Sequence, residues 1–109
     1  MNFDVDSVVK TMLQAAEGPL QKYWKTAAPV AEAEFTKIAQ LVQQIGIDRA
    51  TQTITTQDAK DRLEMLKQAS ICALNTQAGL AEVAAEDAIN AALGSISSIV
   101  NGYLALPVI

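Results

Sequence analysis

The side chains that most often carry out chemistry in proteins are sparse in this sequence, which contains no histidine. Without an imidazole there is no His general base, no His-containing triad, and no Glu-x-x-His motif of the kind that holds two irons inside a helical bundle. Zinc sites use cysteine and histidine, and the chain has a single cysteine. We therefore predict that the protein is not an enzyme and has no catalytic residues.

The acidic residues offer one spacing of interest. Glu82 and Glu86 lie four positions apart, so they share a face if this part of the chain is helical, and Asp87 lies beside them. Carboxylate oxygens at this spacing could bind Mg²⁺ or Ca²⁺. They are also typical of the polar stripe of an otherwise apolar helix. We favour the polar stripe, and we expect neither a metal nor a cofactor.

The single thiol, Cys72, stands between Ile71 and Ala73. A nucleophilic cysteine needs a nearby cation or base that stabilises its thiolate. The nearest charged residue along the chain is Lys67, so we expect Cys72 to be a small buried residue. The sequence also has no Gly-rich phosphate-binding loop and no nucleophile elbow.

The charge distribution bounds the class of partner. Net charge is −4, all eight Lys and Arg lie between Lys10 and Lys67, and residues 88–109 carry no charged side chain. Nucleic-acid binding needs a basic stripe, whereas the basic residues of 60–67 alternate with acidic ones, so we expect no nucleic-acid partner. The acidic start of the chain lacks the basic lead of a secretory signal, and we expect a cytoplasmic protein.

Apolar residues recur at helical spacing along most of the chain, which predicts a single all-α domain over 1–109. The first helix is expected over about 4–27, capped by Asp4 or Asp6, with a kink or a break near Pro19. The second is expected over 29–53, opened by Pro29. Its apolar stripe comprises Ala31, Phe35, Ile38, Leu41 or Val42, and Ile45.

A third helix is predicted over 56–104, where Thr55 and Asp58 have the spacing of a capping box and no proline follows until Pro107. Two architectures fit this pattern. In one, the first two helices form an antiparallel hairpin that packs on one long C-terminal helix. In the other, a turn near Gly79 gives a compact four-helix bundle. We favour the long helix, because no capping residue comes just after Gly79 to begin another.

A long uncharged helix would extend beyond the hairpin and leave its apolar side chains without cover from the same chain. Gly94, Ser98 and Gly102 recur at four-residue spacing, which lets two helix backbones approach closely. Close packing inside one bundle is the alternative explanation for these small residues. The residues predicted to form an intermolecular interface are Leu93, Gly94, Ile96, Ser98, Ile99, Val100, Gly102, Tyr103 and Leu104.

Three functions follow from these patterns. The preferred one is a structural or assembly subunit that forms a homo-oligomer through its C-terminal helix. The second is a membrane-active or lipid-surface protein, with 88–106 inserted and Trp24 at the interface; the polar residues of that segment disfavour it. The third is an adaptor or chaperone-like module that holds a helix of a protein partner. The alternative for Trp24 is a purely structural role, in which it packs in the core near Pro19.

Overall fold

The computed structural model describes residues 3–51 and 54–104, and over these ranges the chain forms helices and no strand. Helix α1 spans Val5–Leu20 and is followed by a single 3-10 turn at Gln21–Tyr23. The remaining helices are α2 at Trp24–Ala50, α3 at Thr56–Gln77 and α4 at Glu82–Leu104. The all-α prediction is confirmed.

The four helices form a bundle in which consecutive helices are neighbours and α4 returns to pack along α1, the most extensive helix pair in the chain. Contacts between helix ends give the directions. The Phe3 ring, just before α1, lies 4.8 Å from the Tyr103 ring near the end of α4. Arg62 in α3 bonds Asp48 near the end of α2 at 3.0 Å. Neighbouring helices are therefore antiparallel, in a body of 43 × 22 × 18 Å.

The first chain reversal lies two residues beyond the predicted break. Asp4 caps α1 by accepting a hydrogen bond from the Ser7 amide at 3.3 Å, as expected. Pro19, however, lies inside the last turn of α1, and the chain turns at Gln21, whose φ is +46°. Proline suits helical φ, but it removes one backbone donor and crowds the carbonyl four residues earlier, and α1 ends one residue after Pro19.

The prediction that Pro29 opens the second helix is wrong, because α2 begins at Trp24 and contains Pro29. Ala27 and Ala31, on either side of this proline, are fully buried. Their burial keeps the segment helical despite the lost hydrogen bond. The predicted apolar stripe is confirmed, with Leu41 at its half-buried edge. Helix α2 ends at Ala50; the last two positions of the predicted span, 52 and 53, lie outside the described residues.

The predicted capping box begins α3. The Thr55 hydroxyl accepts from the Asp58 amide, and the Asp58 carboxylate accepts from the Thr55 amide, both at 3.1 Å. Each bond satisfies a backbone donor that the first turn of a helix leaves free. The start of α3 was therefore readable from four residues of sequence.

The predicted continuous helix over 56–104 is wrong, and the alternative with a turn near Gly79 is confirmed. Gly79 has φ +70°, a backbone conformation that is strained for residues other than glycine. The Asn75 side-chain amide donates to the Leu80 carbonyl at 2.7 Å, and the Leu80 amide donates to the Leu74 carbonyl. Leu80 itself is buried, so both hydrogen bonds and apolar burial hold the turn.

The core runs the length of the bundle and receives apolar side chains from all four helices. It contains one charged residue among those described: Glu34, 4% exposed. Its carboxylate accepts from the Ser70 hydroxyl of α3 at 3.3 Å and from Lys37 at 2.9 Å. A buried charge is tolerated when it is paired and hydrogen-bonded. The hydrogen bond from Ser70 also links α3 to α2.

Candidate interaction surface

The structure divides the predicted interface residues into those that pack within their own chain and those that are exposed. Ile96, Val100 and Leu104 point inward and are buried in the core of their own chain. Leu93 is partly buried against the same core. The expectation that these side chains lack cover within the chain is therefore wrong. The reversal at Gly79 is the reason, because it lays α4 along α1 instead of extending it away from the other helices.

Tyr103 also belongs to the packing of its own chain. Its ring tilts by 32° against that of Phe3, with 4.8 Å between centroids. The ring also lies against the Gly46 backbone of α2, so closely that an added Cβ would overlap it. Gly46 is thus a close-approach glycine between α2 and α4, a role that sequence reasoning missed. Its signal was a glycine inside an otherwise regular apolar helix.

The remaining four predicted residues face outward. Gly94, Ser98, Ile99 and Gly102 are all exposed, and we call this group the outer α4 face. Among residues 3–51 and 54–104, a Cβ added at Gly94 or at Gly102 would meet nothing within 4 Å. Close packing inside the bundle, the alternative explanation for these glycines, therefore does not account for them. Ile99 is 44% exposed and is the largest apolar side chain of the group.

The surface of α4 changes character along its length. Its first turns expose Glu82, Glu86 and Asp87, and no charged side chain follows in 88–104. Over residues 3–51 and 54–104, no group of three acidic, cysteine or histidine side chains is placed to hold a metal ion. The outer α4 face is therefore a small, uncharged surface that begins where the acidic segment ends.

The prediction that Cys72 is buried is wrong. It is exposed, although Ile71 and Ala73 on either side of it are buried. It lines a shallow depression with Gln68, Asn75 and the Glu82 carboxylate. None of the described residues that line this depression is a lysine or an arginine.

A second exposed apolar surface lies between α2 and α3, and we call it the α2/α3 depression. It is formed by Leu41, Arg62, Met65, Leu66 and Ala69. Met65 is 74% exposed. Sequence reasoning missed this surface; the available signal was a methionine on the polar side of a charged helix.

The aromatic pair near the first turn separates into two roles. Trp24 is partly buried and packs against the core, as its structural role predicted. Tyr23 is half exposed, and the Lys22 ammonium lies 5.3 Å from its ring centroid. A cation over an exposed ring contributes about 0.5–1 kcal/mol. Trp24 therefore contributes to the core, whereas Tyr23 is largely in contact with solvent.

None of the helices within the described ranges combines the length and the apolarity needed to cross a membrane. The span proposed for insertion, 88–106, has its last two residues outside those ranges. Comparison with known protein families, with curated proteins and with solved structures finds no match for this chain.

Proposed function

We propose that the protein is a non-enzymatic assembly subunit, a four-helix bundle that binds copies of itself through the outer α4 face. One observation carries the proposal: Gly94 and Gly102 are exposed in the middle and last turns of a helix, with free space where a Cβ would lie. Each glycine weakens a helix by about 1 kcal/mol relative to alanine. No packing contact within the described part of the chain offsets that cost.

A helix from another copy supplies a reason for both glycines. Small residues at four-residue spacing leave a shallow groove, into which a second helix backbone can approach. The centres of protein interfaces are poor in charge, because burying a charge requires compensation. The outer α4 face meets that condition, since 88–104 holds no charged side chain.

The contact proposed here is smaller than the one the sequence suggested. Because Ile96, Val100 and Leu104 are already covered by their own chain, Ile99 is the one large apolar side chain left for the outer α4 face to bury. Full burial of such a side chain contributes about 1.5–3 kcal/mol, and Ile99 has only part of that to gain. We therefore expect reversible, concentration-dependent association instead of an obligate dimer.

The test is the mass of the purified chain by light scattering over a range of concentrations. We expect the wild-type mass to rise with concentration. Gly94→Leu should hold the helices apart and keep the mass at that of one chain. Gly94→Gln, equally bulky but polar, should do the same without adding an apolar side chain to the surface.

The matched control is Gly18→Leu. Gly18 is also an exposed helical glycine with nothing within 4 Å of an added Cβ, but it lies on α1. A side chain at Gly94 meets no clash, whereas one at Gly18 must accommodate the ring of the adjacent Pro19, so circular dichroism is needed to show that every variant is folded. A wild-type chain that stays monomeric throughout contradicts the proposal, as does a Gly94→Gln protein that associates like the wild type.

A further inference from the structure

We draw no further inference here: the strongest candidate, the α2/α3 depression around Met65, is an unpartnered apolar surface, and nothing in the structure shows what covers it.

Discussion

At the scale of single residues, the Gly46 backbone in α2 closely approaches the Tyr103 ring in α4. Gly46→Ala places a methyl group where the ring lies, so Tyr103 must move and give up part of its contact with Phe3. We expect a net loss of about 1 kcal/mol in the free energy of unfolding, because the overpacking cost exceeds the gain in helix propensity. Urea denaturation measures it.

Gly46→Ala in a Tyr103→Ala background separates the overpacking cost from the gain in helix propensity. With the ring gone, Gly46→Ala should stabilise the protein by about 1 kcal/mol, since only the helix-propensity gain remains. The sign of the effect is therefore expected to reverse between the two backgrounds. Equal effects in both would show that the ring does not constrain position 46.

A second residue-scale prediction concerns Asp58. The backbone amide and then the hydroxyl of Thr55 donate to its carboxylate and lower the pKa of Asp58 below the ordinary value of 3.8. A carboxyl whose pKa is lower in the folded state stabilises the fold above its unfolded pKa, and this contribution disappears as the pH falls through the folded pKa. Asp58→Asn should thus be less stable than wild type at pH 7.

The difference in unfolding free energy between wild type and Asp58→Asn should be constant from neutral pH down to the unfolded pKa. Below it, the difference should shrink towards the value for a protonated cap. Urea unfolding at a series of pH values measures this, with Asp61→Asn correcting for the loss of one negative charge from the same helix. A difference that does not change with pH would show that the capping box is absent in solution.

Burial of individual side chains was predictable where several residues supported it together. The stripe from Ala31 to Ile45 came from five apolar positions at helical spacing, and one misplaced member does not change its direction. Cys72 had only its two sequence neighbours as support. Adjacent residues on a helix are about 100° apart, so buried neighbours do not imply a buried residue between them.

At the scale of elements, the turn between α3 and α4 decides the architecture, and Gly79→Ala tests it by sign. With φ at +70°, an alanine Cβ is strained, and we expect a loss of about 1–2 kcal/mol. In a continuous helix the same substitution would stabilise by about 1 kcal/mol. Gly102→Ala, in a regular helix with free space, is the control and should stabilise when it is measured at a dilution that leaves the outer α4 face unoccupied. Thermal or urea unfolding of both variants distinguishes the two architectures.

Helix starts were predictable where a side chain caps them. Asp4 and the Thr55–Asp58 pair were identified from sequence, and each makes the expected bond. The start of α4 has no such mark: Ala81 precedes it and offers only its backbone carbonyl, which accepts from the Ala85 amide. The Asn75 side chain instead holds that turn by donating to a carbonyl five residues ahead. Such a contact cannot be read from a capping pattern.

Of the two prolines used to place a helix boundary, Pro19 marks the first chain reversal to within two residues, whereas Pro29 was misleading. Pro19 and Pro29 each lie inside a helix. A missing hydrogen bond is a local cost, and burial of neighbouring alanines at 16, 27 and 31 outweighs it. Local propensity therefore located the first reversal of the chain but misplaced the start of α2.

At the scale of the whole molecule, the reversal at Gly79 changes which surface is available to a partner. It places the inward side of α4 against the bundle and turns Gly94, Ile99 and Gly102 outward. The sequence alone identified 88–109 as unlike the rest of the chain, because this segment has no charged side chain. It did not separate the covered side of that segment from the exposed one, since that depends on where α1 packs.

Self-association through the outer α4 face should also be visible in the thermal stability of the protein. A partner that binds only the folded state stabilises it by mass action, so the Tm of an associating chain depends on its concentration. For a dimer above its Kd, a tenfold rise in concentration adds about 0.7 kcal/mol per chain, which corresponds to about 3–5 °C in a domain of this size.

Wild type and Gly18→Leu should therefore share the same rise of Tm with concentration, measured by calorimetry across two decades. Gly94→Leu should give a Tm that does not depend on concentration, although at high dilution it should equal or exceed that of wild type, because leucine favours the helix more than glycine does. This pairing of a more stable monomer with a lost concentration dependence cannot arise from misfolding. A concentration-dependent Tm that persists in Gly94→Leu would place any association on another surface of the bundle.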